Sequence, residues 1–197
     1  MQHLNEITFP FKRFQIQTVW RADKPQKGRY REFYQCDVDV IGSDSLMNEV
    51  ELVQIIHDIF KSLNVKVVTK LNNRKILAGM AEIAGVPERF TDLTVALDKL
   101  DKIGLVKVRE ELISKGFSEG EVENLHPFLD LHGDFREKTA ILRSRLDGSS
   151  QGMAGIAEMQ AIFERLEILS FRVSMRAQVP RDQGALFSIR GIRVIRG

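Results

Sequence analysis

An α+β fold, in which a β-sheet unit is interrupted by a run of helices, is the class this sequence predicts. Three observations carry that prediction. Phe14–Trp20 alternates apolar and polar residues, and a second β-rich run, Glu32–Ile41, follows it. From Asn72 to about Leu169 the apolar spacing shifts to the 3.6-residue period of helices and stays there. Phe171–Met175 and Leu186–Ile195 then return to strand-like composition, the chain order of a sheet with an inserted helical block.

The two N-terminal runs read as a hairpin. Between them, Ala22–Arg31 is polar, contains Pro25 and Gly28, and exceeds a tight turn, which makes it a functional-loop candidate by length. Ser43-Asp44-Ser45 offers N-caps to a helix over Leu46–Leu63, with Leu52, Ile56, Ile59, Phe60 and Leu63 as its apolar stripe. Lys66–Leu71 is a short strand candidate. Helices are then expected over Asn73–Gly85, Thr91–Ile103, Val106–Gly116, Ser118–Leu131, Phe135–Leu146 and Met153–Leu169, punctuated by glycines and by Gly148-Ser149-Ser150. The expected domains are residues 1–71, 72–169 as the helical insertion, and 170–197 as a return to the sheet.

The chain has 197 residues, 43% hydrophobic and 28% charged, which excludes disordered and collagen-like classes. Its net charge of +2 conceals an uneven distribution. Residues 12–31 hold seven Lys and Arg against one acid, for +6. Residues 32–169 sum to −8, and residues 170–197, with six Arg and Asp182, to +5. Cys36 is the sole cysteine, so no intrachain disulfide forms and a reducing, cytoplasmic setting is expected. Cys36 itself is expected to pack as a small apolar residue. No run reaches the ~18 apolar residues of a membrane span, so no membrane partner is expected. His3, His57, His126 and His132 do not fall at metal-ligand spacing, and no resident metal site is expected.

Chemistry concentrates in the hairpin loop. Lys24, Lys27, Arg29 and Arg31, with Arg21 at the strand base, gather positive charge where a polyphosphate can be held. Arginine suits that task because its planar fork grips phosphate oxygens in pairs. Phe33 offers a ring for base stacking. Gln35, Asp37 and Asp39 fall at i, i+2 and i+4 of one strand, so an amide and two carboxylates share a face. Such a face suits an amino group or an imidazolium. The bland readings are a solvated basic loop and the wet face of a strand.

Residues 14–42, FQIQTVWRADKPQKGRYREFYQCDVDVIG, closely resemble the second signature motif of histidyl-tRNA synthetases, which are class II aminoacyl-tRNA synthetases. Leu71–Leu77 and Leu97–Gly104 resemble the start of that family's helical insertion, and the resemblance spans about residues 4–170. It implies a partial class II antiparallel sheet and a two-step reaction. Histidine and ATP give histidyl-adenylate and pyrophosphate, and the histidyl group then passes to tRNA(His). By motif position, Arg21 is the catalytic residue, gripping the ATP α-phosphate and contacting the bound histidine. Asp23 reads the adenine amino group, Arg29 contacts ATP from the loop, and Phe33 stacks the adenine. Gln35 and Asp39 hold the histidine, Asp39 facing its imidazole. Mg2+ accompanies the ATP phosphates, and the family implies a homodimer.

The family's histidine-specific stretch Arg-Gly-Leu-Asp-Tyr-Tyr-Thr-Gly is expected near residues 175–184, where this chain reads Met175-Arg176-Ala177-Gln178-Val179-Pro180-Arg181-Asp182-Gln183-Gly184. The first and third family motifs and the anticodon-binding domain do not occur in the sequence. The isolated chain is therefore expected not to aminoacylate tRNA by itself. Two other functions compete: a non-catalytic regulatory relative of the ATP phosphoribosyltransferase regulatory-subunit type, and a helical RNA-binding module over residues 72–169. The nearly whole Arg21–Arg31 grip argues against the first, and the acidic charge of the middle segment argues against the second.

Overall fold

The structure is a computed structural model that describes residues 6–27, 29–169, 173–175 and 192–195. In chain order its elements are β1 (Phe11–Trp20), β2 (Glu32–Ile41), α1 (Met47–Ser62), β3 (Thr69–Leu71), α2 (Arg74–Ile83), α3 (Phe90–Leu97), α4 (Leu100–Ser114), α5 (Glu119–Leu129), α6 (Phe135–Arg145), α7 (Ser150–Ile168), β4 (Val173–Met175) and β5 (Ile192–Ile195). The class is α+β. Two compact units form, one within Met1–Val65 and Phe187–Gly197, the other within Lys66–Leu186.

In the first unit β1 and β2 pair antiparallel, with Val19 opposite Phe33, Gln17 opposite Gln35, Gln15 opposite Asp37 and Arg13 opposite Asp39. Strand β5 pairs parallel to β2 through Val38–Ile41, giving the order β1-β2-β5. Because side chains alternate along a strand, paired residues share a face. One face therefore carries Arg13, Gln15, Gln17 and Val19 beside Phe33, Gln35, Asp37 and Asp39. The other carries Lys12, Phe14, Ile16, Thr18 and Trp20 beside Glu32, Tyr34, Cys36, Val38 and Val40.

That second face is covered at one end and open at the other. Val40 is buried, and Lys12 on the same face forms an ion pair with Glu51 of α1 at 2.5 Å. Toward the loop, Phe14, Ile16, Trp20 and Tyr34 are 76, 64, 71 and 77% exposed. Cys36 lies among them and is exposed, so the expectation that it packs as a small apolar residue is corrected: no element covers its half of the face among the described residues.

Helix α1 begins with Ser45 Oγ accepting from the Met47 amide at 3.3 Å, and Ser43 Oγ accepting from Asn48 Nδ2 at 2.9 Å. It ends on Asn64 at φ 54, with the Val65 amide returning to Phe60 O at 2.9 Å. Its buried face comprises Val50, Leu52, Val53 and Ile56. Ile59 and Leu63 of the predicted stripe are exposed: they share the arc of Leu52 and Ile56, but among the described residues no element covers that arc in the last turn.

In the second unit β3 and β4 pair parallel, and α2–α7 build two adjoining cores. One gathers Leu93, Val108, Leu112, Val122 and Leu125; the other gathers Ile76, Leu142, Leu146, Ile156 and Met159. Gly85 (φ 78) and Gly116 (φ 88) close α2 and α4 in the left-handed conformation that favours glycine. The residues that follow, Val86 and Phe117, turn back into the first core. The predicted helix over Thr91–Ile103 divides into α3 and the start of α4, whose backbone leaves helical geometry at Gly104 (φ 79). Helices α2 and α7 cross closely: a Cβ on Gly79 would stand 2.6 Å from Gly152 Cα. Ser149 caps α7 at the Gly152 amide (2.9 Å) and also donates to Glu82 of α2. Both α5 and α6 open with a capping box, Ser118/Glu121 and Asp134/Glu137.

Candidate functional site

Arg21 continues β1 by one residue, its amide donating to Arg31 O at 2.8 Å. That bond carries the strand pairing into the loop, so Arg21 extends the face that holds Phe33 and Gln35. The guanidinium lies 4.7 Å from the Phe33 ring centroid and donates through Nη2 to Gln35 Oε1 at 2.8 Å. A cation over an aromatic face at an exposed site contributes about 0.5–1 kcal/mol. The result is a planar cation laid on a planar ring beside a carbonyl acceptor.

The row continues along β2. Gln35 Nε2 lies 2.8 Å from both carboxylate oxygens of Asp37. Asp39 Oδ2 accepts from Arg13 Nε at 2.8 Å, and Arg13 Nη2 reaches Gln15 Oε1 at 2.9 Å. The face thus runs from an arginine on an aromatic ring, through an amide, to two carboxylates held in place.

The loop is ordered by its acid. Asp23 takes Arg29 at both oxygens, Nε to Oδ2 at 3.0 Å and Nη2 to Oδ1 at 2.9 Å. Arg31 Nε donates to the Asp23 carbonyl at 3.2 Å, and Gln26 pairs with Arg29 across the turn. Lys24 and Lys27 remain exposed. Trp20, on the opposite face, donates its indole N–H to Glu32 at 2.6 Å. Among the described residues no group of three His, Cys, Asp or Glu side chains could hold a metal ion. Nor is any helix there long and apolar enough to cross a membrane.

The structure brings Arg21, Phe33 and Gln35 into direct contact and places Asp39 further along the same face. Asp23 and Arg29 form a separate pair in the loop. Sequence reasoning overlooked Arg13, counting it only as basic charge. Strand register could have found it, since counting outward from the Arg21–Arg31 pair sets Arg13 opposite Asp39.

A cationic loop on a strand hairpin thus leads to an acidic row, and a helical unit follows it in the chain. The family model described as histidyl-tRNA synthetase matches residues 1–185. A histidine–tRNA ligase of Porphyromonas gingivalis is 55% identical over 184 residues, 93% of this chain and 40% of that protein. One from Bacteroides fragilis is 48% identical over 200 residues, 98% of this chain and 44% of that protein. The crystal structure of histidyl-tRNA synthetase from Nostoc sp. PCC 7120 superposes with a TM-score of 0.75 at 29% identity, covering 90% of this chain and 43% of that one. This chain belongs to the histidyl-tRNA synthetase family. It spans about two fifths of the length of the curated relatives it matches. The crystal structure of an ATP phosphoribosyltransferase regulatory subunit/histidyl-tRNA synthetase from Bacillus halodurans C, at 21% identity and a TM-score of 0.67 over 90% of this chain and 46% of that one, shares the fold.

Proposed function

We propose that this chain carries the ATP and histidine grip of a histidine–tRNA ligase. The observation that carries the reading is the placement of Arg21, stacked on Phe33 and bonded to Gln35, on the face that leads to Asp39. In the reaction, a carboxylate oxygen of histidine attacks the α-phosphorus of ATP and pyrophosphate leaves. A ribose hydroxyl of tRNA(His) then attacks the carbonyl of the histidyl-adenylate, and AMP leaves. Arg21 supplies fixed positive charge where negative charge grows on the α-phosphate, an effect worth most when the donor is already in position. Phe33 stacks the adenine, Asp23 reads its amino group and Arg29 holds the phosphates from the loop. Gln35 and Asp39 hold the amino acid. Mg2+ comes with ATP as part of the substrate.

The proposed organisation has residues 1–71 and 170–197 in the catalytic core and 72–169 as an insertion lying against the tRNA acceptor stem. The working protein is proposed to be a cytoplasmic homodimer. The names of the relatives near 50% identity, all histidine–tRNA ligases, favour this reading over a regulatory subunit.

The test is a chimera in which residues 6–169 of this chain replace the corresponding segment of the Porphyromonas gingivalis ligase, whose own histidine-specific stretch is kept. Histidine-dependent exchange of pyrophosphate into ATP is expected, and R21A should slow it by on the order of 10²–10³-fold. A folded chimera without exchange, or one indifferent to R21A, overturns the reading.

A further inference from the structure

The family resemblance gives a role to Gln35 and Asp39 and leaves the carboxylate between them unassigned. We propose that Asp37 is a positioning residue that fixes the amide of Gln35 with its oxygen toward Arg21. The inference deepens the histidine and ATP reading and rests on it for its ligand.

The oxygen and the NH2 group of an amide are nearly equal in size, so shape alone does not choose between two orientations; hydrogen-bond partners do. Gln35 stands between two groups of opposite polarity. On one side Arg21 Nη2 is a donor, 2.8 Å from Oε1. On the other, both oxygens of Asp37 are acceptors, each 2.8 Å from Nε2. In the observed orientation donors meet acceptors on both sides. The reverse orientation would set NH2 against a guanidinium and the carbonyl against a carboxylate.

Arg21 alone is a weak guide, because it is exposed and its long side chain has other conformations open to it. Asp37 is half-buried, has a short side chain and sits on a paired strand opposite Gln15. It is therefore the fixed end of the row, and order passes from Asp37 through Gln35 to Arg21. Charge-assisted bonds are about twice as strong as neutral ones, and each bond in such a chain polarises the next. With its hydrogens engaged by Asp37, Gln35 meets a ligand as an acceptor. That polarity suits the α-ammonium or ring N–H of histidine.

Nuclear magnetic resonance of the whole chain tests this directly. The side-chain amide signals of Gln35, assigned through Q35M, are expected well separated and displaced from those of a free glutamine. D37L should collapse them to free-glutamine positions and release the Arg21 guanidinium signals, while the Val19 and Phe33 backbone signals stay in place. D37E should restore both, and D37N, which keeps the shape and loses the charge, should fall between. If D37L disrupts the hairpin, D37N and D37E give the same readout. A Gln35 signal unchanged in D37L or D37N overturns the proposal. Histidine titration forms a separate arm: wild-type Gln35 signals should shift, with affinity about tenfold weaker in D37N. If histidine moves nothing in the wild type while D37N still releases Gln35, the ligand reading fails and the positioning role stands.

Discussion

The guanidinium of Arg21 lies 4.7 Å from the centre of the Phe33 ring and holds the Gln35 carbonyl at 2.8 Å. On the proposed reading, a phosphate grip, a stacking surface and an amino-acid contact meet within these three side chains. An adenine would then share or take the ring face that Arg21 covers, and the N–H groups of Arg21 not bonded to Gln35 would turn to the phosphate.

Arg21 is therefore expected to act on the chemical step. In the chimera, R21A should lower the maximal rate of pyrophosphate exchange by on the order of 10²–10³-fold, the usual effect of losing one aligned transition-state donor. R21K should recover little, since an ammonium cannot both stack and fork. Steady-state exchange with circular dichroism as a folding control checks this.

Phe33 is expected to act on ATP affinity. Base–aromatic stacking contributes about 1–3 kcal/mol per base, so F33A should raise the KM for ATP between about fivefold and 150-fold with little change in the KM for histidine. F33W should keep most of the affinity. Equal effects of F33A on both substrates would contradict the assignment.

The Arg13–Asp39 pair is expected to matter more for binding than for stability. Its side chains are 44 and 16% exposed, and pairs of that kind stabilise by about 0.2–1 kcal/mol. A double-mutant cycle on R13Q and D39N, measured by urea unfolding, should give a coupling in that range. In exchange assays D39N should raise the KM for histidine at least tenfold and leave that for ATP alone.

Strand alternation made the hairpin and its shared face legible in the sequence. Gln35, Asp37 and Asp39 needed only a period of two, and the glycines at 85 and 116 marked real helix ends. Other features depend on contacts that no local pattern carries. The parallel pairing of β5 with Val38–Ile41 joins segments some 150 residues apart. The exposure of Cys36, Ile59 and Leu63 depends on which neighbours cover each face. The orientation of the Gln35 amide follows from a rotamer, and composition says nothing about rotamers.

At the α2–α7 crossing, G79A is expected to destabilise the chain by about 1–3 kcal/mol, the range for overpacked cores. The added carbon would meet Gly152 Cα at 2.6 Å and Ser149 Oγ at 2.9 Å, and the backbone there has no rotamer to yield. G120A, where the same carbon meets nothing within 4 Å, is the control. Urea midpoints of both variants check the difference.

Glu121 gives the acid limb of stability a specific origin. Its carboxyl is held below the ordinary 4.5, first by the Ser118 backbone amide and then by the Ser118 hydroxyl, with the charge of Arg89 assisting and desolvation opposing. A carboxyl depressed by folding contributes stability that is present above its unfolded value and lost as pH falls through its folded one. The wild type should thus lose this contribution progressively below pH 4.5, and E121Q should show a shallower fall over the same window. Unfolding midpoints between pH 3 and pH 7, roughly spanning the carboxylate range, check the slope.

The two unlike faces of the β1/β2 hairpin make the gene far less tolerant of changes in length than of changes in letter. Loss of a single codon inside Phe11–Trp20 would leave every remaining side chain chemically intact. Yet on the N-terminal side of the gap Arg13 would move to the place of Phe14, on the opposite face, and its partner Asp39 would meet Lys12 instead. The same deletion in the loop, between Lys24 and Lys27, would leave both faces as they are. Along this hairpin the fold constrains spacing as strictly as residue identity.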